Sequence, residues 1–138
     1  MEDNIRNSDR APLPVGLYPH ARKVGNLLFL SGVGPRKKDR NSIPGVELNQ
    51  HGEIISYDIK IQCEAVFDNV RMILEDCGSS WDKLVDVQVF LTNMKDDFST
   101  FNKVYAEYFK DIQPCRTTVE VNALPTPIAI ELKCVAEL

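Results

Sequence analysis

The stretch CRTTVEVNALPTPIAIELKCVA, residues 115–136, decides how this chain folds. Both of its ends are rich in β-branched and apolar residues, and a Leu-Pro-Thr-Pro run at 124–127 separates them. Because proline has no N–H to donate within a central strand, this run predicts a connection between two strands, at 116–122 and 128–136. The second strand carries an unbroken apolar row on one face, made of Ile128, Ile130, Leu132 and Cys134.

Three earlier segments also have strand patterns. Apolar residues at every second position predict a strand over 84–92. Nearer the start of the chain, two short apolar runs at 21–24 and 27–31 flank Gly25 and Asn26. A two-residue link of this composition is typical of a β-hairpin, so the two runs are predicted to pair with each other.

Two segments between the strands have helical patterns. Apolar residues at steps of three and four predict a helix within 57–78, with Ser56 as its N-cap. An aromatic stripe over 98–109 predicts a second helix, capped by Asp96 or Asp97, with the rings packed into the core.

The resulting order, β-β-α-β-α-β-β, predicts an α+β domain of two layers. One mixed sheet would carry both helices on one face. At 138 residues the chain is predicted to form a single domain over 1–138, with 1–11 as a flexible lead-in. The second face of the sheet would lack a cover within the chain, so we expect it to be buried against other copies.

Composition excludes several functional classes. With 16 basic and 20 acidic residues the net charge is −4, which argues against a nucleic-acid binder. No run approaches the ~20 apolar residues of a membrane span, and the polar start lacks the apolar run of a signal peptide, so a cytoplasmic location is expected. The four cysteines form no C-x-x-C pair and have no histidine at metal-ligand spacing, which predicts reduced thiols and no metal site.

Two charged residues in the last strand pair are candidates for chemistry. Arg116 begins a strand and could grip a carboxylate with its planar fork of donors, or form a surface ion pair. Glu131 interrupts an apolar strand, so it either reaches water or occupies a polar pocket, where its raised pKa would suit general acid–base work. The loop at 32–49 holds a basic run beginning at Arg36, which is either a solvated excursion or a lid or second carboxylate clamp.

Several blocks of the chain, taken together, resemble the Rid family, also called the YjgF/YER057c/UK114 family. They include YPHA at 18–21, VGNLLFLSG at 24–32, PCRTTVEV at 114–121 and IAIELKCVA at 128–136. The resemblance covers about residues 12–137, and it keeps the family's separation between the arginine and the glutamate.

This resemblance implies a chorismate-mutase-like fold, a homotrimer with ligand sites between subunits, and catalysis without a cofactor. The arginine matching Arg116 holds the substrate carboxylate, and the glutamate matching Glu131 positions the hydrolytic water. The remaining matched positions are expected to line the same cleft; they are Tyr18, Ser31, Gly32, Asn93 and Thr118. Arg36 would supply a second cation for a substrate with two carboxylates.

Within the family the chain is most similar to 2-aminomuconate deaminases, which convert 2-aminomuconate to 4-oxalocrotonate and ammonia. Thr118 stands where the general imine deaminases tend to have cysteine. One alternative is nevertheless a general deaminase of 2-iminobutanoate and 2-iminopropanoate. Another, of a different class, is a non-catalytic trimer with a ligand-binding or stress-response role. The partners expected are the small carboxylate-bearing substrate and further copies of the chain, with no nucleic acid and no membrane.

Overall fold

A computed structural model describes residues 4–38, 40 and 42–138. The strands are β1 (Ile5–Arg6), β2 (Ala21–Val24), β3 (Leu27–Leu30), β4 (Val46–Leu48), β5 (Ile54–Tyr57), β6 (Leu84–Leu91), β7 (Cys115–Glu120) and β8 (Ile130–Glu137). The helices are α1 (Ile59–Asp76) and α2 (Met94–Phe109), and a short 3-10 turn spans Trp81–Lys83. Neither α1 nor α2, the α-helices of the described residues, is long and apolar enough to cross a membrane.

Six strands form one mixed sheet in the order β1-β2-β3-β8-β6-β7, and β4 pairs with β5 in a separate hairpin. Within the large sheet β6 and β7 are parallel, and the other neighbours are antiparallel. The hairpin predicted around Gly25 forms as β2 and β3. The predicted α+β class with one mixed sheet is confirmed, with β8 in the middle of the sheet.

The core lies between the sheet and the helices. In α1 the fully buried Val66, Val70 and Leu74 recur at helical spacing, and they belong to the same core cluster as the alternate residues of β8, Leu132 and Cys134. Each of these β8 residues is fully buried. A strand turns successive side chains to opposite faces, so Glu131 and Lys133 point away from the helices.

Apolar side chains occupy much of the opposite sheet face. Leu27, Phe29 and Val119 lie on it and are 37%, 39% and 40% exposed, and Val135 beside Phe29 is half-buried. An apolar surface of this kind is more typical of an interface than of a solvated face.

The helix caps and the strand ends differ from the sequence prediction. Asp58, not Ser56, caps α1, since its side chain accepts a hydrogen bond from the Ile61 N–H, whereas Ser56 is paired with Glu47 in the β4–β5 hairpin. Asn93, not Asp96 or Asp97, caps α2. The last two strands run over Cys115–Glu120 and Ile130–Glu137, shifted by one or two residues from the prediction.

The lead-in predicted as flexible spans 1–11, of which residues 1–3 lie outside the described part of the chain. Residues 4–11 contain β1 and lie against the end of α1. Arg10 forms ion pairs with Glu75 and Asp76 at 3.0 and 2.8 Å. The Ser8 hydroxyl also donates to Asp76, at 2.5 Å, and Ala11 is fully buried. Hydrogen bonding from Arg10 lowers the pKa of Asp76. The segment thus adds specific contacts between the edge of the sheet and α1.

Candidate active site

Glu131 lies in the central strand β8, flanked in sequence by the buried core residues Ile130 and Leu132. The chain after β3 runs beside it, because Val33 and Leu132 exchange backbone hydrogen bonds of 2.8 and 2.9 Å. This pairing brings the backbone of Gly32 against the Glu131 carboxyl. A Cβ atom at position 32 would lie only 2.6 Å from Glu131 Oε2, so glycine is required for the observed approach.

A cavity of about 390 Å³ opens over this carboxyl. Its lining comes from the chain before β2, the segment after β3, the Pro125–Ile128 connection and β8. The lining residues are Val15, Tyr18, Ser31, Gly32, Gly34, Arg36, Pro125, Thr126, Ile128, Glu131 and Lys133. Five predicted site residues therefore meet in one place, namely Tyr18, Ser31, Gly32, Arg36 and Glu131.

Ser31 links two walls of this cavity. Its hydroxyl donates to the Pro19 carbonyl at 2.7 Å, and its backbone N–H donates to the His20 carbonyl at 3.0 Å. These bonds hold the segment that carries Tyr18, whose side chain borders the cavity and remains 40% exposed. The Ser31 hydroxyl therefore positions neighbouring groups in the free chain.

Burial raises the pKa of the Glu131 carboxyl above its ordinary value. Two cations border the same cavity. Arg36 Nη2 donates to the Leu13 carbonyl at 2.9 Å, and Lys133 Nζ donates to the Leu30 carbonyl. Among the residues that the structure describes, neither forms an ion pair with Glu131 within 4 Å. The cavity thus combines a carboxyl that protonates readily with two cations available to an anionic ligand.

Sequence reasoning missed Lys133 as a site residue. The signal was present, because Lys133 follows Glu131 by two positions in a strand and must share its face.

Arg116 lies on the opposite side of the sheet. In the parallel pairing of β6 and β7 it is opposite Val87, which is fully buried under the helices. Its guanidinium carbon stands 4.6 Å from the ring centre of Tyr105, and Nη1 donates to Asn102 Oδ1 at 2.9 Å. Within one chain Arg116 and Glu131 do not converge.

Thr118 and Asn93 also lie outside the Glu131 cavity. Thr118 shares the helix-side face of β7 with Arg116, and its buried hydroxyl has no hydrogen-bond partner among the described residues. Asn93 caps α2 by accepting from the Asp96 N–H at 3.1 Å. In the loop after Arg36, Lys37 is bonded to Asp68 and Asn69 of α1 and does not line the cavity.

Known proteins resemble this chain over nearly its whole length. A family model described as Endoribonuclease L-PSP matches residues 8–138. A RutC family protein of Pyrococcus abyssi is 38% identical over 136 residues, which is 99% of this chain and 98% of that protein. The chloroplastic Reactive Intermediate Deaminase A of Arabidopsis thaliana is 33% identical over 138 residues, covering 100% of this chain and 67% of that protein.

Among solved structures, E. coli TdcF with bound serine superposes with a TM-score of 0.82 and 28% identity, covering 97% of this chain and 98% of that one. Sequence and fold therefore agree, and the chain belongs to the Rid family, also called the YjgF/YER057c/UK114 family, whose family model carries the description Endoribonuclease L-PSP.

Proposed function

We propose that this protein is a hydrolytic deaminase that converts carboxylate-bearing enamines or imines to ketones and ammonia. The observation that carries the proposal is the half-buried Glu131 carboxyl, which faces a cavity of about 390 Å³ and has a raised pKa. A carboxyl of this kind can take up and return a proton during hydrolysis.

The chemistry needs one such group. The enamine tautomerises to an imine, whose carbon is electrophilic. The Glu131 carboxylate takes a proton from water as the water oxygen bonds to the carbon of the N-protonated imine, giving a neutral carbinolamine. Transfer of that proton from Glu131 to the amino nitrogen lets the C–N bond break while the C=O bond forms. The hydroxyl proton passes back to the Glu131 carboxylate, which can protonate the next imine, and ammonia and the ketone leave. Gly32 supports this step because it has no side chain that would displace the Glu131 carboxyl from the cavity wall.

The substrate carboxylate is assigned to Arg116 of a second copy. The aromatic rings below its guanidinium and the bond to Asn102 fix its plane, and no carboxylate of the described residues pairs with it. Arg116 stands on β7, the edge strand of the sheet, from which a long side chain can reach a neighbouring molecule. Packing of the apolar sheet faces in a homotrimer would place it beside the Glu131 cavity of the next copy.

The two additional cations favour a substrate with two carboxylates. Arg36 and Lys133 border the cavity, and among the described residues that line it Glu131 is the one with a carboxyl group. With Arg116 of a neighbouring copy the site would carry three cations against that carboxyl, which suits a dianion better than a monoanion. We therefore favour 2-aminomuconate as the substrate and 4-oxalocrotonate as the product.

The second candidate is a general imine deaminase that removes reactive intermediates, favoured by the 33% identity to Reactive Intermediate Deaminase A. The third is a non-catalytic trimer that binds ligands. The raised pKa of Glu131 argues against this third candidate, because a pure binding site has no need of a carboxyl poised for proton transfer.

Ammonia release from 2-aminomuconate and from 2-aminoacrylate, measured side by side, separates the three. We expect turnover of both with a higher kcat/KM for the dicarboxylate, and Glu131→Gln should lower kcat by about 10²- to 10⁴-fold. The matched control is Glu137→Gln, at the exposed end of the same strand, which should retain full activity. An unchanged rate in Glu131→Gln would contradict the proposal, and equal kcat/KM values would favour the general deaminase.

A further inference from the structure

A second cavity of about 550 Å³ lies on the helix layer. It is bordered by one face of α1, the loop before β4, the 3-10 turn and the end of α2. The lining residues are Lys37, Glu64, Ala65, Phe67, Asp68, Arg71, Trp81 and Tyr108. None of these residues lines the Glu131 cavity, so the two sites are separate.

Three aromatic rings form the floor of this helix-layer cavity. The centre of the Phe67 ring is 5.0 Å from that of Tyr108 and 6.3 Å from that of Trp81, and the planes are tilted by 55° and 59°. The Trp81 indole N–H donates to the Tyr108 carbonyl at 3.1 Å, which fixes the relation between these two walls. The centres of the Trp81 and Tyr108 rings are 6.5 Å apart and their planes are inclined by 67°, and both rings border the cavity. Aromatic ring faces attract cations.

The charged groups at the rim are unequally engaged. Asp68 is paired with both Lys37 and Arg71, and Arg71 also pairs with Glu75. Glu64 forms no hydrogen bond or ion pair among the residues that the structure describes, and its side chain is exposed. The cations at the rim are therefore already neutralised, whereas one carboxylate beside the rings is not.

The electrostatic environment of the Tyr108 ring is consistent with an unpaired carboxylate nearby. Burial and then the carboxylates of Glu64, Asp68 and Glu107 raise the pKa of its hydroxyl. The carboxylates act in this direction because they make the potential at the ring negative. An anionic ligand would be repelled there, and a cation would be attracted.

We propose that the helix-layer cavity binds a small organic cation, an amine or alkylated ammonium group, against the aromatic rings of Trp81 and Tyr108 and beside the carboxylate of Glu64. The site is on the opposite side of the molecule from the uncovered sheet face, so association through that face leaves it open. Binding here does not depend on deaminase activity.

Trp81 is the only tryptophan of the chain, so its single indole N–H resonance reports on this cavity directly. Choline is the cationic probe. Its neutral counterpart is neohexyl alcohol, in which carbon replaces the quaternary nitrogen, and tert-butylacetate is the anionic counterpart. We expect choline to shift the Trp81 resonance saturably with a dissociation constant on the order of 1 mM, and the other two to bind at least about fivefold more weakly.

Glu64→Gln should weaken choline binding by about fivefold. The matched control, Glu53→Gln in the turn between β4 and β5, should leave choline binding unchanged. Equal shifts from all three probes, a stronger response to the anion, or no saturable shift by about 50 mM choline would overturn the proposal. Because the three probes are compared on the unaltered chain, this outcome does not depend on whether a variant folds.

Discussion

Arg116 and Glu131 face opposite sides of the sheet, and this makes the origin of the active site testable by mixing. We consider two variants, Arg116→Ala and Glu131→Gln, each expected to be nearly inactive alone. If each site takes Arg116 from one copy and Glu131 from the next, a mixed assembly contains some sites in which both residues are intact. A site formed within one chain could never regain both.

The expected recovery follows from counting. In equal, randomly mixed amounts, a given site has one chance in two of drawing its glutamate from the Arg116→Ala chain. It has one chance in two of drawing its arginine from the Glu131→Gln chain. About one quarter of the unmodified activity should therefore return. The same fraction is expected in any closed ring in which every site joins two neighbouring copies.

The assay is ammonia release after co-expression, or after unfolding and joint refolding of the two variants. A second mixture is the matched control, in which the unmodified chain is combined with a chain carrying both substitutions. Sites shared between copies predict about one quarter of full activity in that mixture, whereas sites within one chain predict about one half. No recovery in the first mixture together with one half in the second would refute the assignment of Arg116 to a neighbouring site.

Three further predictions concern the Glu131 cavity. Because burial raises the pKa of Glu131 and the carboxylate form takes the proton from water, kcat/KM should fall as the pH drops through that raised pKa; a profile flat down to pH ~4.3, where an exposed glutamate titrates, would contradict this. Gly32→Ala should displace the carboxyl and lower kcat about tenfold, whereas the free energy of unfolding in urea should change by less than about 1 kcal/mol, because the flexible side chain can move aside. Lys133→Met should raise KM for the dicarboxylate about tenfold and leave KM for a monocarboxylate nearly unchanged. The control is Lys38→Met, because the Lys38 ammonium donates to the Asp9 carbonyl outside the cavity. Equal effects of Lys133→Met on both substrates would count against a second carboxylate site.

A fourth prediction tests the packing of residues 4–11 against α1. Asp76→Asn should lower the free energy of unfolding by up to about 1 kcal/mol, because the side chain of its partner Arg10 is 47% exposed and solvent screens the pair. The folded-state pKa of Asp76 is lowered, so its contribution is present above the unfolded value of about 3.9 and is lost as the pH falls through the folded value. Urea unfolding should show a difference in stability between the two proteins at neutral pH, and this difference should become smaller as the pH is lowered below about 3.9.

The spacing of apolar residues predicted most of the helices and strands, because an element that is buried on one face has apolar residues at regular intervals. The β2–β3 hairpin, both helices and the apolar face of β8 follow from such patterns. Short elements contain too few residues to show such a pattern clearly. The three residues of β4 lie inside a polar, glycine-containing segment. Ser56 and Asp58 are both suitable N-cap residues, and Asp58 is the cap because β5 continues through Ser56 to Tyr57.

The relative positions of Arg116 and Glu131 could be predicted only with the order of the strands in the sheet. Two strands joined by a short connection suggest a pair, and a pair would allow both side chains to meet. In the structure β6 lies between β7 and β8. The face on which Arg116 stands is set by its parallel register with Val87, a contact between residues 29 positions apart that no local pattern reveals.

The central place of β8 also shapes how the molecule is made. β8 is the strand that joins β3 to β6, so the two halves of the sheet have no strand in common until residues 130–137 are in position. During synthesis these residues emerge after both halves, and until then β3 and β6 each present an unpaired edge rich in apolar side chains. Residues 130–137, which are made after both halves, thus complete the sheet, and we expect the nascent chain to need protection of those two open edges until then.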